Sequence, residues 1–285
     1  MIKSEKWPVI GAGSGTPCSS HVWAVSLNCP AEANAFSGPM MEQLTEQFQK
    51  IHDDANCCLM LLMGRGRHFS AGANLEWMRQ SRHLDEEGNR QEASKLLAMY
   101  ESLQRLPMPT LAVAHGSTFG GGNGLLACCD VVIAEEASRF CLSEVKLGLI
   151  PAVILPYLAR KMDHGFLLGA ALSATPFGVD EALRHGLVGH KISRADAASS
   201  LRQHINRFLG VSPSAQRAFK ALWQELRSRG FAQDELTVSA IARARASEQA
   251  ALGLDAFLNK EASPFDWKLA DEVDLAEAVE SWAWR

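Results

Sequence analysis

Three consecutive glycines, Gly120, Gly121 and Gly122, follow an apolar run of strand character (Thr110–Ala114) and precede a helix-compatible run over residues 125–129. Only a residue without a Cβ lets the backbone turn that sharply and leaves its N–H groups uncovered. Those N–H groups stand where a helix begins, a position that favours negative charge. Farther along, Glu144 is an ionisable residue between two apolar runs. Residues 115–151 therefore read as a site in which the glycines stabilise an oxyanion and Glu144 moves a proton beside it. The alternative for Glu144 is a loop carboxylate ion-paired with Lys146. His115, at a strand end, reads as structural or as a second catalytic group.

The flanking pattern predicts how the chain frames that stretch. Residues 1–20 hold a strand followed by a Gly/Ser/Pro turn. The run Gly11-Ala12-Gly13-Ser14-Gly15 lacks the G-x-G-x-x-G spacing and a following helix, so it reads as a loop. Residues 21–28 suit a strand anchored by Val22 and Leu27. Ser37 or Gly38 caps a helix with Met41, Leu44, Phe48 and Ile51 on one face. Residues 58–63 are continuously apolar, the pattern of a buried strand. They open into the small-residue loop 64–75, which is either a ligand loop at a strand end or an ordinary turn. Residues 79–89 read as a polar surface segment. A helix follows with Leu96, Leu97, Tyr100, Leu103 and Leu106 on one face, stopped by Pro107 and Pro109. Beyond the central stretch, residues 153–161, 165–172 and 179–185 are helical, and Gly186 sits where a C-cap belongs. From residue 195 the pattern predicts helices only: 195–209, Pro213–Arg229, 231–245 and Glu248–Asn259. The acidic tail 271–285, with Trp282 and Trp284, is expected to pack on a neighbouring subunit.

Strands alternating with helices indicate parallel β/α organisation. The expected division is a core over 1–195, a helical region over 196–262 and a tail over 263–285. At 285 residues the chain is near the size, about 250–300 residues, where single cores stop growing. A net charge of -4 with no basic cluster argues against a nucleic-acid partner. No apolar run reaches the roughly 18 residues that span a bilayer, so no membrane association is expected. Lys3 and Lys6 are followed by the glycine run and not by an apolar stretch, so no signal peptide is expected. Seven cysteines, an odd count without C-x-x-C, read as thiols in a reducing, cytoplasmic setting. Of these, Cys57, Cys58, Cys128, Cys129 and Cys141 sit in apolar surroundings. The nine histidines are scattered without ligand spacing, so no metal site is expected.

The loop H-F-S-A-G-A-N-L, the block G-G-G-N-G-L-L-A-C-C-D, the run S-E-V-K-L-G-L-I-P and the later E-A-L-R-H-G-L-V occur in that order. Together they resemble the crotonase (enoyl-CoA hydratase/isomerase) superfamily over about residues 21–259. The resemblance implies an α/β fold, a crotonase-like spiral of ββα units with a C-terminal helical trimerisation region. It implies a homotrimer, or a hexamer built as a dimer of trimers. It also implies an acyl-CoA thioester substrate, with coenzyme A part of the substrate and no separate cofactor. Carried over by motif, the oxyanion hole is the backbone N–H of Ala71 and of Gly121, and the acid/base carboxylate is Glu144. Many hydratases carry a second glutamate where this chain has Gly124. The aspartate common after A-G-A is Asn74, and the basic residue common before Asn34 is Ala33. The implied substrate and CoA contacts are Ala33, Ala73, Asn74, Leu75, Gly120 and Gly124. Phe257 and Lys260 are expected to reach a neighbouring subunit's CoA. Arg65, Arg67 and Lys260 are candidate phosphate partners.

G-G-G-x-G-L-x-A-C-C-D with L-S-E-V-K-L-G-L-I-P-A-x-I, and Trp77 and Met78 in N-L-E-W-M, resemble bacterial hydratases of 3-branched glutaconyl-CoA thioesters. These act on 3-methylglutaconyl-CoA in leucine breakdown or isohexenylglutaconyl-CoA in acyclic-terpene breakdown. Both are hydratases despite a glycine at the second-glutamate position, so Gly124 does not exclude hydration. The implied reaction is water addition, the distal carboxylate of the substrate or ordered water holding the nucleophile. Ile154, Leu155 and Met162 either line a long acyl pocket or belong to the core. One alternative is an enoyl-CoA double-bond isomerase on the same fold, which needs one carboxylate. A thioester hydrolase or decarboxylase on this fold ranks below it. The alternative of another class is a non-catalytic acyl-CoA- or RNA-binding relative.

Overall fold

The computed structural model describes residues 1–11, 17–280 and 282. The chain opens with two long strands, β1 (Ile2–Ile10) and β2 (Pro17–Leu27), before helix α1 (Gly38–His52) and strand β3 (Cys57–Gly64). Helices α2 (Leu75–Ser81) and α3 (Glu86–Gln104) come next. Strands β4 (Thr110–Ala114) and β5 (Ser117–Phe119) lead into α4 (Gly121–Cys128), β6 (Val131–Glu135) and β7 (Arg139–Cys141). Then follow α5 (Leu155–Ala159), α6 (His164–Ser173), β8 (Phe177–Gly178), α7 (Val179–Arg184) and β9 (His190–Ile192). The C-terminal part contains α8 (Ala197–Leu209), α9 (Pro213–Arg229), α10 (Asp234–Arg245), α11 (Glu248–Asn259), β10 (Lys268–Leu269) and α12 (Leu275–Glu280).

A seven-stranded sheet has the order β10-β1-β2-β3-β4-β6-β9. Strand β1 is antiparallel to both neighbours, and every pairing from β2 to β9 is parallel. The continuous apolar run of β3 is explained by burial of all eight residues, as expected when both faces of a parallel sheet are covered. Met60 and Leu62 enter one core with Met41, Phe48 and Tyr100 of α1 and α3. Leu59, Leu61 and Met63 enter a second core with Leu201, Ile205 and Leu209 of α8. A smaller sheet of β5, β7 and β8 stands beside the first. Its β5–β7 register, Phe119 opposite Cys141, brings the segment after β7 next to the start of α4.

Four expectations are corrected. Leu97 is exposed whereas Tyr100 and Leu103 are fully buried; consecutive residues 96 and 97 are about 100° apart on a helix and cannot share one narrow face. Residues 79–89 are largely helical, because Ser81 ends α2 and the Asp85 carboxylate accepts from Gly88 N–H to start α3. The region beyond 195 is not helical alone: β10 pairs with β1, with Val9 opposite Leu269. The tail then returns to its own chain, where Trp282 is completely buried in the second core. Residues 12–15 of the glycine run, and Trp284, lie outside the described residues. Cys57, Cys58, Cys128, Cys129 and Cys141 are buried free thiols. Among the described residues no helix is long and apolar enough to cross a membrane. Among the described residues no group of three His, Cys, Asp or Glu is placed to hold a metal ion.

Candidate active site

Two loops, one after β3 and one after β4, are laced together by their backbones. Ser70 N–H donates to Ser117 O (3.2 Å) and Phe119 N–H to Ser70 O (2.9 Å). The first loop is also tied to the turn before α1: Phe36 N–H donates to Gly72 O (2.7 Å) and Asn74 N–H to Phe36 O (2.8 Å). Asn34, fully buried, organises that junction; its amide donates to Arg65 O and His68 O, both at 2.8 Å. Asn123 does the same for the second loop, donating to Cys141 O at 2.9 Å.

At the centre, Gly72 and Gly120 meet backbone to backbone. Both have positive φ, +92° and +47°, the region glycine adopts without strain. A Cβ on Gly120 would lie 3.9 Å from Gly72 Cα and 3.1 Å from Glu144 Oε1. Glu144 opens a 3-10 turn (Glu144–Leu147), so the β5–β7 pairing delivers its carboxylate to the head of α4. Oε2 of Glu144 is buried and has no hydrogen-bond partner among the described residues. Burial raises its pKa above the ordinary carboxylate value. The alternative, an ion pair with Lys146, does not occur among the described ion pairs.

The hydrogen-bond pattern decides which N–H groups around the Gly72–Gly120 contact stay uncommitted. Ala71 N–H donates to Ala33 O at 2.8 Å. That corrects the expectation for Ala71: its N–H is consumed by the fold. Ala73, the residue after Gly72, pairs with Phe36 through its neighbours' groups, and its own N–H has no acceptor among the described residues. Gly121 is the first residue of α4, where N–H groups lack intrahelical acceptors. Ala73, next to Gly72, and Gly121, next to Gly120, therefore keep backbone N–H groups without an acceptor among the described residues.

Gly124 lies one turn into α4, and its missing side chain is matched by its neighbours. A Cβ there would fall 2.5 Å from Ile154 Cγ2 and 2.7 Å from Tyr100 Cζ. Tyr100 is fully buried and donates its hydroxyl to Gly121 O at 2.7 Å. Desolvation pushes its pKa well up, so it stays protonated. Tyr100, one of an apolar helix stripe, does not stand out in the sequence; Asn34 and Asn123 lie at motif positions, but nothing in the sequence marks them as braces of the two loops.

The remaining predicted residues separate. Asn74 caps α2, accepting from Glu76 and Trp77 N–H, and donates to Glu32 (2.6 Å); its side chain is not free for a ligand. Leu75 is 71% exposed at the mouth of the loop. Ala33, with φ +50°, serves through its carbonyl. Ile154 borders the site, Met162 is core and Leu155 is part-exposed. Arg65 turns to the opposite side, lining a cavity of about 400 Å³ with Trp7, Met63 and Glu277. Phe257, 78% exposed, and Lys260 stand at the surface at the end of α11. His115 is structural: it is buried, and Nε2–H donates to Gly66 O at 2.8 Å. Desolvation lowers its pKa to about 3, so the imidazole is neutral.

Known proteins share this frame. Residues 18–268 match the family described as enoyl-CoA hydratase/isomerase. An enoyl-CoA hydratase from Shewanella pealeana is 34% identical and superposes with a TM-score of 0.80, covering 85% of this chain and 91% of that one. Pseudomonas aeruginosa AtuE is 30% identical with a TM-score of 0.81, covering 86% and 96%. The human mitochondrial Delta(3,5)-Delta(2,4)-dienoyl-CoA isomerase is 31% identical over 206 residues, 67% of this chain and 62% of its own.

Proposed function

The chain belongs to the enoyl-CoA hydratase/isomerase family, and from that premise we propose that it adds water to the double bond of a 3-branched glutaconyl-CoA thioester. The thioester oxygen sits between the N–H groups of Ala73 and Gly121. These donors stabilise the enolate more than the neutral ester, which is what lowers the barrier. Glu144, ionised, takes a proton from water as the hydroxyl adds to the β-carbon. It then returns that proton to the α-carbon, so one carboxylate serves as base and then acid. The single observation that carries this reading is the unpartnered oxygen of Glu144, whose carboxylate lies at the Gly72–Gly120 contact, with uncommitted N–H groups on the next residues, Ala73 and Gly121.

No second carboxylate fits at position 124, where Tyr100 and Ile154 fill the space. The substrate's distal carboxylate, or water ordered by it, holds the nucleophile in its place. Isohexenylglutaconyl-CoA and 3-methylglutaconyl-CoA are the two substrates to compare. Turnover of both against crotonyl-CoA tests the reading; equal rates on all three would remove the substrate's carboxylate from the mechanism.

A second reading, double-bond isomerisation, is favoured by the same closed space at Gly124, since one carboxylate suffices to move a proton from the γ- to the α-carbon. The likeness to a dienoyl-CoA isomerase supports it too. Solvent oxygen in the product separates the two.

The enzyme works as a homotrimer or a hexamer, with Phe257 and Lys260 of one copy reaching the CoA of the next. The exposure of Phe257, Leu258, Leu168 and Leu172 supports such an assembly. Buried free thiols support a reducing, cytoplasmic setting.

A further inference from the structure

The tail lies beyond the family match, which ends at residue 268, yet it is firmly built into this chain. Its strand β10 pairs with β1, and Arg202 of α8 donates to Leu269 O (3.2 Å), Ala270 O (3.1 Å) and Val273 O (2.5 Å). Leu275 and Val279 of α12 are buried. The last described residue, Trp282, lays its ring flat on His115, with centroids 4.7 Å apart and planes 10° apart.

His115 is the joint between the two loops of the candidate site. Its Nε2–H holds Gly66 O (2.8 Å) and its own carbonyl accepts from Phe69 N–H (3.0 Å). The next residues continue the clamp: a Cβ on Gly116 would fall 2.0 Å from Arg67 O, and Ser117 N–H donates to His68 Nδ1 (3.1 Å). One arm from this joint leads to Ala73, the other to Gly121. Trp282 touches neither donor; it covers the imidazole from the sheet's other face, within the core that contains α8.

We propose that Trp282 is a positioning residue for the oxyanion site, clamping His115 so that Gly66 and the loop carrying Ala73 keep their register against Gly121. It rests on the assignment of Ala73 and Gly121 as the oxyanion donors. The contact uses the ring face alone, since the indole Nε1 has no hydrogen-bond partner among the described residues. A flat ring of another kind is therefore sufficient, and a branched aliphatic side chain is not.

The test uses the full chain and the variants Trp282→Ala, Trp282→Leu and Trp282→Phe. Steady-state kinetics on the best enoyl-CoA substrate is combined with hydrogen exchange of residues 65–75. Trp282→Ala and Trp282→Leu are expected to lower kcat about tenfold or more, because small misplacements of oriented groups are expensive in rate. KM stays within about twofold, as the donors act mainly in the transition state. Exchange of the 65–75 amides accelerates in both variants while β2 and β3 keep wild-type protection, and Trp282→Phe restores rate and protection. An unchanged kcat in Trp282→Leu, with or without lower thermal stability, overturns the proposal; so does a Phe variant no better than Leu. If the wild-type chain turns over no enoyl-CoA, the functional reading fails on its own, and exchange decides the clamp. Faster exchange over 65–75 in Trp282→Leu upholds it, and equal exchange overturns it.

Discussion

Tyr100 occupies the space that a side chain on Gly124 would need: its Cζ is 2.7 Å from where that Cβ would stand. The same ring, through its hydroxyl, holds the carbonyl of Gly121 at 2.7 Å. One residue of α3 thus closes the space at position 124 and braces the turn that carries Gly121.

Gly124→Ala places a methyl against Tyr100 and Ile154, an overpacking expected to destabilise by about 1–3 kcal/mol. Thermal melting at neutral pH measures it. A variant as stable as the wild type would mean that the space is not closed. Gly124→Glu meets the same wall and gains no turnover.

Tyr100→Phe keeps the ring and removes the hydrogen bond to Gly121 O. Leaving that buried acceptor unpaired costs about 1–3 kcal/mol, read from urea unfolding, and kcat falls as the turn loosens. Unaltered stability and kcat would show that the hydroxyl does not brace the turn.

Backbone esters distinguish the donors, because each replaces one N–H with oxygen. An ester at Ala73 breaks no bond of the fold and should lower kcat about a hundredfold or more with little change in stability. An ester at Ala71 breaks the bond to Ala33 and should lower stability by about 1 kcal/mol. The reverse pattern would return Ala71 to the oxyanion hole.

Burial raises the Glu144 pKa in the folded protein, which gives a signed pH effect. Between the ordinary and the raised pKa the folded state binds more of this proton than the unfolded state, so stability falls as pH rises through that window. Glu144→Gln removes the slope, and its Tm relative to the wild type rises from acid to neutral pH. The ionised base is needed for turnover, so kcat/KM climbs with pH through the raised value. A Tm difference that does not change with pH would contradict the burial effect.

Much of the site is legible in the residues themselves. The strand, the glycine triplet and Glu144 announce a turn at a helix head with a carboxylate, and the parallel sheet follows from the unbroken apolar run of β3. The choice between Ala71 and Ala73 is not legible, because both stand in S-A-G-A and the difference is a carbonyl from Ala33, in a loop distant in sequence. Gly124 is visible as a departure, but its cause is Tyr100, which looks like one more apolar position of α3. The return of the tail was hidden for another reason: a two-residue strand has no periodicity, and its partner β1 lies at the other end of the chain.

In the proposed reaction Glu144, working against Ala73 and Gly121, adds water to an enoyl thioester. The direct measurement is the mass of the product formed from 3-methylglutaconyl-CoA or isohexenylglutaconyl-CoA in heavy-oxygen water, for the wild type and for Glu144→Gln. One labelled oxygen is expected in the wild-type product, and turnover reduced by about a hundredfold or more in the variant, with thioester binding retained. An unlabelled product with a shifted double bond, or a variant that labels as fast as the wild type, would contradict it.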